Sequence, residues 1–240
     1  MGISFDNIKT ILRRELRGYF NSPIAYIVVV IFLIINGWFF ASSIFLINEV
    51  TLDNFLGNMP LLFIFFIPAM TMGLFSDEIK SGTIEILATM PLKDEEIIIG
   101  KFLSAFSLMA VAISLTLIHP ITLMFLGKVD MGQVIGSYSG LYLLSASFVS
   151  AGVFCSALTK NQIVAFIISF IICFVSFMFG KILSFVPAFI VSFIEYLSID
   201  YHFGNISKGI IDSRDLIYYF SVILFFYYMT VSVLGSRRWK

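Results

Sequence analysis

Charged residues are concentrated in one stretch of an otherwise apolar chain, DEIKSGTIEILATMPLKDEEIIIGKF from Asp77 to Phe102. Its Gly100-Lys101 pair lacks both the leading glycine and the following hydroxyl residue of a G-x-x-x-x-G-K-[ST] phosphate-binding loop. The Gly180-Lys181 pair fails in the same way, and H-E-x-x-H and G-x-S-x-G motifs are absent from the sequence. The charged stretch therefore predicts a binding surface, and the chain is not expected to hydrolyse ATP or to be an enzyme.

The rest of the chain has the composition of a membrane protein. Of its 240 residues, 59% are hydrophobic and only 12% are charged, against roughly 25% charged residues in soluble domains. Six apolar runs are long enough to cross a bilayer as helices, at about residues 24–47, 59–75, 102–126, 138–158, 163–180 and 216–235. Unpaired backbone groups are not tolerated in lipid, and the period-2 alternation of a membrane barrel is absent. We therefore predict an all-α integral membrane protein, a six-span helical bundle that forms one domain over residues 1–240.

The distribution of Lys and Arg predicts the orientation of the bundle. Eleven of the 15 basic residues lie in the first segment, in the charged stretch, in the turn after the fourth run or in the C-terminal tail. The other four are Lys128, Lys181, Lys208 and Arg214. Because an excess of basic residues marks the cytoplasmic side, both termini and the segment 76–101 are predicted to be cytoplasmic. The charged segment before the first run argues against a cleaved signal peptide.

The segment 76–101, which contains the charged stretch, has helical periodicity. Its apolar residues predict a short amphipathic helix through Ile79, Thr83, Ile86, Leu87 and Met90. Pro91 is expected to end this helix, and the acidic residues from Asp94 to Glu96 are expected to begin another that runs into the third span. A solvated connector that only enforces topology is the alternative, although about 25 residues exceed what an ordinary connection needs.

The N-terminal segment, residues 4–22, has the pattern of a helix in the plane of the membrane surface. An apolar stripe runs beside a basic stripe, the first through Phe5, Ile8, Leu12, Leu16 and Tyr19 and the second through Lys9, Arg13 and Arg17. The pattern predicts an amphipathic interfacial helix, whether it contacts a partner protein or anchors the chain to the membrane surface alone.

The segment 181–213, before the last span, is apolar but interrupted by Pro187. It is too broken for a seventh span, so we predict a re-entrant or interfacial helical pair on the outer side. Lys181 and Glu195 lie near the two ends of its apolar part, Ile182 to Leu197, and are candidates for an outer gate. Side chains that extend to the interface explain them as well.

The spans contain few groups that could do chemistry. Cys155 and Cys173 lie in apolar runs and predict buried thiols without a disulfide or metal role. The small residues of the fourth run predict close helix packing. His119 is the one histidine in a run, and this scarcity of ionisable groups argues against a proton-coupled carrier.

The segment 76–101 also resembles a segment found in a known protein family. The residue order D-E-x-x-S-G-T-x-E-x-L from Asp77, M-P-L from Met90 and I-G-K-F from Ile99 is similar to the segment between spans two and three of ABC-2 type permeases. In that family this segment supplies a coupling helix that docks on an ATPase. The stretches 14–23 and 201–215 resemble the gliding-motility-type branch of the family.

The resemblance implies the permease subunit of an ABC exporter, which moves substrate by alternating access. It implies two separate ATPase subunits that bind ATP and Mg, a second copy of the permease or a related permease, and a lipid bilayer, the bacterial cytoplasmic (inner) membrane. No cofactor on this chain and no nucleic-acid partner are expected. The implied ATPase-coupling interface comprises Glu78, Gly82, Glu85, Pro91, Gly100 and Lys101, with Arg13 and Arg17 as secondary contacts to the ATPase or the membrane surface.

Two other functional classes fit the same residues. A six-span body could anchor or regulate an envelope or motility complex without transport, or it could form an ATP-independent channel for a neutral solute. Within the exporter class, lipid, peptide, drug and polysaccharide substrates are all compatible with the sequence.

Overall fold

The computed structural model describes residues 4–45, 53–85, 92–127, 129–182, 194–210 and 212–237, and these residues contain helices and no strand. The helices are α1 (Phe5–Asn21), α2 (Pro23–Phe45), α3 (Asp53–Thr71), α4 (Gly73–Ser81), α5 (Asp94–Leu115), α6 (Ile118–Leu126), α7 (Met131–Leu158), α8 (Gln162–Ile182), α9 (Ile199–Ser207) and α10 (Ser213–Arg237). Six segments are long and apolar enough to cross a membrane: Ala25–Phe45, Phe55–Ser81, Asp94–Leu126, Met131–Leu158, Gln162–Ile182 and Ser213–Ser236. The predicted all-helical fold is confirmed for the described residues, and its six apolar segments of membrane length fit the predicted six-span membrane protein.

Helix α7 forms the centre of the bundle. Its span is 78% buried, against 17% for α2 and 11% for α10. Glycines on α7 permit close contacts with its neighbours, because a Cβ atom on Gly136 would lie 2.4 Å from the Ile206 carbonyl oxygen, and one on Gly152 would lie 2.1 Å from Thr71 Oγ1. The small residues of the fourth span therefore do pack closely against other helices, as the sequence predicts. Cys155 is fully buried within the same helix.

Two of the spans are interrupted helices. The second consists of α3 and α4, which meet at a turn at Met72, and the third consists of α5 and α6, which meet at a turn at Thr116 and Leu117. Just after the second interruption, the His119 ring stacks on Phe40 with a centroid distance of 4.5 Å. The backbone stays in the helical region at both interruptions, with φ of −54° and ψ of −34° at Met72 and φ of −58° and ψ of −17° at Leu117, so each pair of helices forms one candidate span.

The prediction of one continuous amphipathic helix from Ile79 to Met90 is wrong, because the structure interrupts the helix at Gly82. Helix α4 ends at Ser81, because Gly82 adopts a left-handed conformation with φ of 74° and closes the helix. A left-handed residue at this position is a common helix end, and glycine takes it without a Cβ clash. Residues 83–85 are helical again, whereas the predicted stop at Pro91 lies outside the described residues.

The segment 181–213 is described in part. Residues 183–193 and residue 211 lie outside the described residues, and α9 packs against α7 and α8. Ser198 caps α9 by accepting a hydrogen bond of 3.1 Å from the Tyr201 N–H. The re-entrant course predicted for the segment 181–213 stays a prediction.

Candidate functional site

Helix α1 packs against the beginning of α5. Ile11 on α1 lies over Gly100, where an added Cβ atom would come within 2.7 Å of Ile11 Cγ2. The Glu96 side chain is buried, and its carboxylate accepts hydrogen bonds from the Ser4 N–H at 2.7 Å and from the Asn7 side-chain amide at 2.8 Å. Helix α1 is thus attached to α5 both by a close apolar contact and by a buried carboxylate.

Lys101, on the same helix, is a buried cation with 1% of its side chain exposed. Its Nζ atom lies 3.1 Å from Glu15 Oε1 on α1 and 3.0 Å from Glu78 Oε1 on α4. It also donates a hydrogen bond of 2.6 Å to the Leu74 carbonyl oxygen and lies 5.0 Å from the centre of the Phe75 ring. One ammonium group therefore joins three helices, α1, α4 and α5.

Arg14 completes a cluster of four charges. Its guanidinium group pairs with Glu15 and, at 2.7 Å, with Glu78. We refer to Arg14, Glu15, Glu78 and Lys101 as the charge cluster. Two positive and two negative groups balance each other in it, and buried charges require such pairing.

The electrostatics of the cluster are visible at Glu15. Burial acts to raise the pKa of Glu15, but the positive charge of Lys101 and the hydrogen bond from Arg14 outweigh burial and lower the pKa below its usual range. Glu15 is therefore held as a carboxylate, which keeps the buried Lys101 neutralised. The same environment raises the pKa of Tyr19, chiefly through burial, with the negative charge of Glu15 as a further cause.

The chain beyond the cluster is exposed. We refer to residues 80–85 as the tip; its exposed members include Lys80, Gly82 and Glu85. Arg13 and Arg17 are exposed on α1. The tip and these arginines thus present charged groups to solvent next to an internally neutralised cluster.

A comparison with known families identifies the class of protein. A family model described as "ABC-2 family transporter protein" matches residues 47–180, more than half of the 240-residue chain. The chain belongs to the ABC-2 transporter family. No curated protein matches the chain significantly. Together with the six candidate spans, this makes the protein a multi-pass ABC-2 permease, a membrane component that normally lacks an ATPase motif of its own.

The residues predicted for ATPase coupling fall into three groups in this permease. Glu78, Gly100 and Lys101 are internal and join α1, α4 and α5. Gly82 and Glu85 lie on the exposed tip. Pro91 lies outside the described residues. Contact of any of these residues with an ATPase stays a prediction.

The sequence reasoning found Glu78 but missed Glu15, the other carboxylate that pairs with Lys101, and the anchor of α1. Arg14, Glu15 and Glu96 were not among the candidate site residues, although each makes a direct contact between elements far apart in the chain. Glu15 follows Ile8 and Ile11 at helical spacing, so it lies on the stripe that α1 buries. A charged residue on a buried stripe was the available signal, because it requires an opposite charge nearby.

The candidates for an outer gate lie near a second charged region. Lys181 pairs with Asp200, with 3.0 Å between Nζ and Oδ2, so it does not depend on Glu195 for an opposite charge. Close by, His202 Nδ1 lies 2.6 Å from Asp215 Oδ1, and both side chains are 3% exposed. This pair attaches α9 to the beginning of α10; a gating role for Lys181 and Glu195 stays a prediction.

Metal binding has no geometric support within the described residues. No group of three or more His, Cys, Asp or Glu side chains that could hold a metal ion occurs among them. The charge cluster itself provides ion pairs that join helices.

Proposed function

We propose that this permease is the membrane subunit of an ABC exporter and that ATP-driven movement of separate ATPase subunits enters it through α1 and the tip. Two ATPase subunits would bind ATP and Mg, and a second copy of this chain or a related permease would complete the transport pathway. Alternating access would follow from the movement of the spans.

The observation that carries this proposal is the charge cluster. A connector that only links two spans has no need of a buried lysine, which is costly to place in a protein interior without partners. Here that lysine attaches α1 and α4 to the beginning of α5. Such an arrangement suits a unit that receives a push at the exposed tip and moves as one body.

The tip lies at one end of the bundle and α9 at the other. Helix α7 contacts Phe75 on α4 through Ser156 and contacts Ile206 on α9 through Gly136. Residues 136 and 156 of one helix are separated by about 30 Å at 1.5 Å per residue, about the thickness of the hydrocarbon core. This geometry supports a cytoplasmic tip and an outer α9, in agreement with the distribution of Lys and Arg.

In this mechanism the exposed residues make the contact and the internal ones transmit it. Glu85, Arg13 and Arg17 are exposed and would face the ATPase or the membrane surface. Glu78 and Lys101 would hold α1, α4 and α5 together during the movement. The residue patterns at 14–23 and 201–215 favour the gliding-motility-type branch. The distribution of Lys and Arg favours cytoplasmic termini, and the family resemblance favours a bacterial inner membrane.

Purification of the full chain from its native membrane in mild detergent tests the proposal directly. We expect a stoichiometric protein with a P-loop to accompany the wild-type chain. Glu85→Lys should reduce that recovery, because it reverses a charge on the tip. Lys208→Glu is the matched control, since it also reverses one exposed charge but at the α9 end.

Recovery of the chain alone, or with proteins that lack a P-loop, would contradict the exporter and favour a membrane anchor or a channel. Equal recovery of the ATPase with Glu85→Lys and with Lys208→Glu would agree with the exporter but would show that Glu85 is not part of the interface.

A further inference from the structure

The interruption between α3 and α4 is bridged by a serine from a third helix. Ser156, on α7, accepts hydrogen bonds from the Phe75 N–H at 2.9 Å and from the Ser76 N–H at 3.1 Å. Its hydroxyl donates a hydrogen bond of 2.8 Å to the Met72 carbonyl oxygen. One side chain thus binds the backbone on both sides of the first residue of α4.

These contacts resemble a helix cap supplied from another helix. The first N–H groups of a helix have no partner within it and are usually satisfied by a side chain at the N-cap position. Met72 occupies that position before α4 and makes no side-chain cap. Ser156, which is fully buried, takes this role.

We propose that Ser156 is a positioning residue that sets the angle between α3 and α4 and passes a movement of α4 to α7. The transmission rests on the proposed function, whereas the capping does not. Without the cap, the turn at Met72 would be a hinge at which a push on the tip is absorbed by bending. With it, α4 is bound to the most buried span of the bundle.

The surroundings of Ser156 strengthen this assignment. One turn earlier on α7, Gly152 lies so close to Thr71 that a Cβ atom would come within 2.1 Å of its Oγ1. The last residue of α3 and the first turn of α4 therefore both rest on α7. In such a dry environment an unsatisfied backbone N–H is costly, so loss of the hydroxyl cannot be compensated as readily as at a surface.

Hydrogen exchange of the full-length permease in detergent or nanodiscs tests the capping without an ATPase. We expect Ser156→Ala to speed exchange of the Phe75 and Ser76 amides about five- to tenfold, because loss of a helix cap makes local opening of the first turn of α4 more frequent. Ser145→Ala is the matched control, because that buried serine on α7 bonds to a carbonyl of its own helix. Ser156→Thr keeps the hydroxyl and should restore slow exchange.

Unchanged exchange at both amides in Ser156→Ala would overturn the proposal, as would an equal increase in Ser145→Ala. If Ser156→Ala does not fold, Ser156→Thr still decides: fast exchange at both amides in a folded threonine variant would contradict the role of the hydroxyl.

Transmission is tested by distances between spin labels at Lys80→Cys on α4 and Lys160→Cys after α7, with the buried Cys155 and Cys173 replaced by alanine. We expect one narrow distance distribution in this background and a broad one after Ser156→Ala. A distribution that stays narrow would show that α4 is positioned without Ser156. Failure to recover an ATPase with the wild-type chain would instead contradict the proposed function. The spin-label and exchange results would still show whether Ser156 positions α4.

Discussion

Replacing Lys101 by methionine is the sharpest test of the charge cluster. The unbranched apolar chain of methionine fills a similar space without the charge. It leaves the carboxylates of Glu15 and Glu78, each 17% exposed, with Arg14 as their remaining cation in the cluster. Breaking a buried pair costs about 3–5 kcal/mol; partial exposure and Arg14 reduce this, so we expect Lys101→Met to lower the free energy of unfolding by about 3 kcal/mol.

A double-mutant cycle with Glu78→Gln shows whether the loss arises from charge imbalance. Glu78→Gln leaves Lys101 paired with Glu15, so it should cost about 1–2 kcal/mol. The double variant removes one charge of each sign and keeps the pair of Arg14 with Glu15. Its cost should therefore fall below the sum of the single costs by about 1–2 kcal/mol.

The assay is SDS-induced unfolding in mixed micelles, followed by circular dichroism. Lys80→Met is the matched control, because Lys80 is exposed on the tip and its loss should change stability by less than about 0.5 kcal/mol. Strict additivity of Lys101→Met and Glu78→Gln, or a cost of Lys101→Met no larger than that of Lys80→Met, would refute the electrostatic account.

The same variant should change the pH dependence of stability. Because the pKa of Glu15 is lowered in the folded protein, its contribution is fully present above the ordinary glutamate value of 4.5 and is lost as the pH falls through the folded-state pKa. Lys101→Met removes the largest cause of that lowering. The stability difference between wild type and Lys101→Met should therefore be smaller at about pH 4 than at about pH 7.

Two glycines give further predictions. Gly100→Ala should lower the free energy of unfolding by about 1–3 kcal/mol and expose α1 to trypsin, because its Cβ atom would meet Ile11 at 2.7 Å. Gly57→Ala, with open space around it, is the control and should be neutral or stabilising. Equal trypsin sensitivity of the two variants would contradict the close contact. Gly82→Ala should cost about 1–2 kcal/mol in SDS unfolding through its left-handed backbone, and Gly82→Asn less. An alanine variant as stable as wild type would show that α4 can continue past Ser81.

Much of the architecture follows from the sequence because it depends on local composition. Apolar runs of sufficient length predict spans wherever they occur, since each helix satisfies its own backbone in lipid. All six predicted runs overlap candidate spans, and the small residues of the fourth run predicted its close packing against other helices. The order of residues around Gly82 indicated the family that the match over residues 47–180 supports.

The tertiary structure decided which of the charged residues are internal. Lys101 and Glu15 are 86 positions apart and Ser156 and Phe75 are 81, so no local pattern pairs them. Hydropathy treats Lys101 and Lys80 alike, yet one is buried between carboxylates and the other is exposed. The reason is physical: burial of a charge or of a free backbone N–H is permitted only by a partner, and the packing of α1, α4, α5 and α7 supplies those partners.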